Sequence, residues 1–227
     1  MRRSLPRDAI LIPMQYRRAF IILGTAILIA LQATRVPAQT TAPAQTTPSA
    51  EPAQPVARLQ NFGTLVSFLN LASGAVRVVA ILKPSDPSSE AMIGALQSIL
   101  SGNASPRLRA YVVWTRLGPE DTELRAAAAC SRVRDRRLVY FWDSEAFVAN
   151  AFRGAVVSKD TPATGVLLLY DTDARLSIDP PAPTLWMSAN PDIPGDALDA
   201  KRLGEGVNAM VHRVEEKVSD GAGAGKK

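Results

Sequence analysis

Four short runs of apolar residues, largely β-branched or leucine, constrain this chain more than any other feature: Val76-Arg77-Val78-Val79-Ala80-Ile81-Leu82, residues 108–114, 138–142 and 165–170. None shows the polar alternation of a strand with one wet face, and each is too short for a buried helix. They read as strands covered on both sides. The segments between the first three carry helical spacing instead. Met92, Leu96, Ile99 and Leu100 form a stripe within 90–100, and Gly118-Pro119-Glu120-Asp121 opens an alanine-rich stretch to about Arg132. A proline and two acids suit the first turn of a helix there. Strand-helix-strand units of this kind imply parallel pairing with right-handed crossovers.

The flanking segments extend the pattern. Phe62, Leu65, Val66 and Leu69 follow the N-cap residue Asn61 at helical spacing, so a short amphipathic helix opens the domain. Residues 145–156 read as a helix capped by Asp143 or Ser144. Asp171-Thr172-Asp173-Ala174 has turn chemistry and predicts an antiparallel strand over 175–178. After a proline-rich loop, Leu203, Val207, Met210, Val211, Val214 and Val218 mark the apolar face of a last helix. One α/β domain over 58–218 is predicted, with three layers around a mixed sheet.

The chain ahead of it has a different composition. Arg17 and Arg18 stand before an apolar run from Ala19 to Leu31, and Val36-Pro37-Ala38 follows. A basic region, an apolar core and small residues at the third-last and last positions describe a secretory signal over 1–38, cut after Ala38, with Met14 as an alternative start. Thirteen residues at 1.5 Å each cover about 20 Å, short of the roughly 30 Å of a bilayer core, which favours cleavage over a permanent anchor. Residues 39–57 are rich in Pro, Thr, Ala and Gln and read as a disordered linker, as do 219–227 as a tail. The expected location is the periplasm or the exterior, the alternative being a membrane anchor facing the periplasm.

Charge and reactive residues exclude several classes of function. The formal charge of +5 arises within residues 1–38; the remainder carries as many acids as bases, so a nucleic-acid surface is not expected. Cys130 is the single cysteine and His212 the single histidine. An internal disulfide and a paired-cysteine metal site are therefore ruled out, and neither a metal nor a cofactor is expected.

The run from Val76 through Lys83-Pro84-Ser85-Asp86-Pro87-Ser88-Ser89 resembles the strand and active-site turn of a bacterial thioredoxin-like group. That group carries cysteine or selenocysteine, two residues, then cysteine at this place. Residues 109–114, Asp121, Asp135-Arg136-Arg137-Leu138-Val139-Tyr140-Phe141-Trp142-Asp143 and Leu168-Leu169-Tyr170 are similar to the same pattern. The resemblance implies a thioredoxin-like three-layer fold with a degenerate turn, Asp86-Pro87-Ser88-Ser89. Oxygen side chains stand where the family has its redox atoms, and Pro162 lies three residues before Gly165, where the family's proline is expected nearer the strand.

These residues define the candidates. Asp86 is a helix cap or, with Asp143 and Trp114, part of a ligand cleft. Cys130 is a packed small hydrophobe or a reactive thiol completed by a partner's cysteine. Arg132, Arg134, Arg136 and Arg137 are a solvated connection or an anion site, while Trp142, Trp186 and His212 have no assigned role. The expected function is a redox-inactive module that binds a protein or small ligand outside the cytoplasm; the alternative is a thiol-linked oxidoreductase using Cys130.

Overall fold

The computed structural model describes residues 55–156, 161–193 and 195–224. The signal segment 1–38 and most of the linker lie outside the described residues. Six strands form one sheet: β1 (Val56–Arg58), β2 (Val76–Leu82), β3 (Leu108–Thr115), β4 (Leu138–Asp143), β5 (Val166–Tyr170) and β6 (Leu185–Ser188). Their order is β1-β4-β3-β2-β5-β6. The first four in that order run parallel, and β5 and β6 each run antiparallel to the preceding neighbour.

Strand succession dictates the layers. The steps β2 to β3 and β3 to β4 move the same way across the sheet, so right-handed crossovers put α2 (Ser88–Gly102) and α3 (Glu123–Cys130) on one face. The step β1 to β2 moves the other way and sends α1 (Phe62–Leu71) to the opposite face. There it packs with α4 (Phe147–Ala151) and α5 (Arg153–Val156), through Phe62, Leu65, Leu69, Val148 and Phe152. The long α6 (Ala200–Ala224) joins α2 and α3 through Leu203, Val207, Met210, Val211 and Val214. The result is a three-layer α/β fold with a mixed sheet. β2 is buried along its whole length, Arg77 included.

Several boundaries differ from the sequence reading, each for a physical reason. Val56 and Ala57, assigned to the linker on composition, pair with Tyr140 and Phe141. α3 begins at Glu123 rather than near Pro119, because the Asp121 carboxylate takes the N–H groups of Leu117 and Gly118 into a turn, and Thr122 caps the helix through Arg125 N. The helix expected over 145–156 starts only at Phe147, because Ala146 sits in the left-handed region (φ 56°), and it is interrupted at Phe152 between α4 and α5. Residues 175–178 are not a strand. Asn70 of α1 clamps the backbone of Leu176 through both its amide groups, and the edge of β5 pairs with Leu185–Ser188 instead. At the C-terminus the helix continues through Ala224, into the segment read as a disordered tail.

Candidate functional site

β2 ends at Leu82 and the chain turns into α2 within six residues. Lys83 O accepts the Asp86 N–H at 3.1 Å and the Ser89 hydroxyl at 2.8 Å. Asp86 closes the turn twice: its carbonyl accepts the Ser89 N–H at 3.1 Å and its carboxylate accepts the Ser88 N–H at 2.9 Å. Pro87, with φ −57° and ψ −30°, is already helical and leaves no N–H to satisfy. Asp86 therefore caps α2 against the positive end of its dipole.

The turn is held from the side by Asp121, which is 1 % exposed. One carboxylate oxygen accepts the Ser85 N–H at 3.0 Å; the other accepts those of Leu117 and Gly118 at 3.1 and 3.0 Å. Burial pushes this carboxyl up, but the hydrogen bonds from Ser85, Leu117 and Gly118 together outweigh it and hold the group below the usual aspartate range. A depressed folded-state value contributes stability above the unfolded pKa, near 3.9, that is lost as pH falls through the folded one. Asp121→Asn is expected to lower stability by about 2 kcal/mol at pH 7, since its amide N–H groups would oppose backbone donors. Denaturant titrations of both proteins should show that difference shrinking below about pH 4.

Beside the turn lies a cleft of about 460 Å³ between the start of α2, the end of β3 and α3. Asp86, Pro87 and Ser89 line it together with Trp114, Arg125 and Arg132. Its walls mix apolar surface from Pro84, Ile93 and Ala128 with a charged rim, on which Arg132 meets Glu90 at 2.7 Å. Both partners of that pair are exposed, so it is worth less than about 1 kcal/mol and opens readily to an incoming group. Such a cleft suits a short peptide segment or small ligand with an apolar body and polar ends.

The sequence candidates separate here. Asp86, Ser89 and Trp114 converge on the cleft. Ser88 does not line it; its hydroxyl is buried without a partner, near Gly165. Asp143 does not join them. It ends β4, where it pairs laterally with Thr115 of β3, two strands or about 10 Å from β2, and its carboxylate accepts the N–H groups of Phe147 and Val148. Burial raises its carboxyl above the usual range, with those bonds opposing. The two-carboxylate reading of Asp86 and Asp143 is thereby corrected.

Cys130 is fully buried, in the core between α3 and the sheet. Burial pushes its thiol up to about 11; the nearby Trp114 indole N–H opposes that shift without reaching hydrogen-bond geometry to the sulfur. Of the arginine cluster, Arg132 reaches the cleft and Arg137 is buried against Asp135 and the carbonyls of Leu100 and Asn103. Arg125 and Glu90 were not singled out from the sequence. The spacing of Arg125, Ala128, Ala129 and Arg132 on one helical face was the available signal. Gly165, with φ 70°, directly precedes β5 and donates to Ile81 O at 2.8 Å; no proline stands nearer that strand than Pro162. Among the described residues no three His, Cys, Asp or Glu come together as a metal site, and no helix is long and apolar enough to cross a membrane.

No protein-family model matches the sequence, and no curated protein matches it. Among solved structures, the chain is similar to a secreted Mycobacterium tuberculosis disulfide oxidoreductase homologous to E. coli DsbE. That match has 14% identity over 62% of this chain and 85% of the other, with a TM-score of 0.40. It is also similar to a thiol:disulfide interchange protein of the thioredoxin family from Chlorobium tepidum TLS, with 11% identity over 62% of this chain and 83% of the other and a TM-score of 0.41.

Proposed function

We propose that this domain is a thioredoxin-like module without dithiol chemistry that works outside the cytoplasm, binding a partner protein or small ligand through the cleft beside the 83–89 turn. The observation that carries the reading is the chemistry of that cleft, whose lining offers carboxylate, hydroxyl, guanidinium and indole groups but no sulfur. Attack on a disulfide requires a thiolate. The Cys130 thiol, at about 11, would be ionised in only about one molecule in ten thousand at pH 7, and its sulfur is sealed from solvent. The export reading rests on residues 14–38, whose basic start and apolar run match a secretory signal.

The native protein is expected to leave a thiol reagent unconsumed over the time in which the denatured chain reacts fully, and to reduce no insulin disulfides. Rapid labelling of Cys130 or measurable reductase turnover would replace this reading by the thiol-linked oxidoreductase. The binding half is tested by a photo-crosslinking residue placed at exposed Pro87 and, as a control, at Ile178, which is 83% exposed. Discrete adducts in exporting cells are expected from position 87 alone. Equal patterns from both positions would remove the cleft as the binding surface.

A further inference from the structure

A second concavity lies at the other end of the sheet, where β2, β3 and β4 begin. It holds about 500 Å³ between the end of α1 and the loops before β3 and β4. Arg107, Arg109 and Arg136 line it, with Tyr111 from β3 and with Phe68 and Leu71 from α1. No acidic residue is in its lining, and the neighbouring Asp135 is engaged by Arg137 at 2.7 Å. Arg107 gives one N–H to Gly74 O at 3.4 Å and Arg109 one to Leu108 O at 3.2 Å. A guanidinium has five N–H donors, so both retain the fork that takes a phosphate. Beside these cations Leu71 is 83% exposed and Phe68 41% exposed.

Cations set next to protruding apolar side chains match the boundary of a bilayer with anionic headgroups, where the former meet phosphate and the latter enter the interfacial layer. The direction of the chain agrees. β1 runs parallel to β4 from Val56 opposite Tyr140, so β1 begins at the end of the sheet that carries the groove. The cleft beside the 83–89 turn lies at the opposite end, seven residues of β2 or about 20 Å away.

We infer that this groove docks on anionic phospholipid, with Arg107, Arg109 and Arg136 on headgroup phosphates and Phe68 and Leu71 in the interfacial layer. The docked domain presents its 83–89 cleft away from the bilayer. The inference is independent of what that cleft binds.

The test uses the full chain with Leu71→Cys carrying an environment-sensitive fluorophore; buried Cys130 does not compete for the label. Vesicles of equal parts phosphatidylglycerol and phosphatidylcholine are expected to shift its emission to the blue. Pure phosphatidylcholine should not, and the shift should weaken as salt is raised. Each Arg→Gln change at 107, 109 or 136 should weaken apparent binding about fivefold, and the triple variant about a hundredfold. The lipid and salt comparisons use the unaltered arginines, so they decide the matter even if the triple variant folds poorly. Equal shifts on both vesicle types would mean that the apolar run at 19–31 alone brings the chain to lipid, and would overturn the inference. So would no shift at all, or an equal shift produced by inorganic phosphate without vesicles.

Discussion

Arg77→Ala should lower folding stability by about 4 kcal/mol, a large fraction of what a domain of this size has. Arg77 lies mid-sheet on β2 with no exposed surface. Its guanidinium donates to the carbonyls of Leu69 at 3.2 Å, Asp171 at 2.5 Å, Thr172 at 3.4 Å and Ala174 at 2.8 Å. Leu69 O belongs to the last turn of α1, where carbonyls lack helical partners, so this one side chain closes α1 and anchors the 171–174 turn. Burial pushes the guanidinium below its ordinary pKa and the Arg175 charge adds to this, with Tyr111 and Asp171 only partly compensating. Truncation removes the donor, leaves buried acceptors unpaired and opens a cavity. Arg77→Lys keeps the charge but has three donors instead of a five-donor fork, and should lose about half as much. Denaturant midpoints of the three proteins measure this. An alanine variant as stable as the parent would show that the carbonyl contacts contribute nothing.

The double change Asp86→Cys and Ser89→Cys should take the protein from no disulfide to complete closure under mild oxidation, read as a loss of about two daltons in the intact mass. The two positions are joined by the Ser89 N–H to Asp86 O bond of 3.1 Å in a single turn, an arrangement within the Cα separation of about 4.4–6.8 Å that a disulfide spans. Their place at the start of the 15-residue α2 lowers thiol pKa and speeds exchange. Reductase turnover need not follow, because Gly165, not proline, stands directly before β5. A pair that stays reduced would show that the turn does not hold these side chains within bridging distance, and the resemblance to a dithiol turn would lose its support.

Elements set by neighbours along the chain were legible in the sequence. Val76–Leu82 and the central parts of β3, β4 and β5 follow from unbroken apolar runs, which only a sheet covered on both faces accommodates. α1 follows from its spacing and from Asn61, which accepts the Thr64 N–H at 3.0 Å. Asp86, Ser89 and Trp114 could be nominated because each stands at the end of a recognisable strand or the start of a helix.

What stayed hidden depends on residues distant in sequence. Three residues, Val56–Arg58, carry too little pattern to declare a strand until Tyr140–Trp142 lies beside them. The edge position next to β5 went to Leu185–Ser188 because Asn70, 106 residues before Leu176, had already taken the backbone of the nearer segment. Local spacing likewise could not say that Asp143 would spend its carboxylate on Phe147 and Val148, or that Arg125 and Arg132 would face the turn across a cleft. Sequence alone determined which segments must be covered, since apolar patterning is a property of consecutive residues. Tertiary structure decided the lateral strand partners and which side chains share a cavity, because strand pairing and side-chain convergence join groups that no local pattern connects.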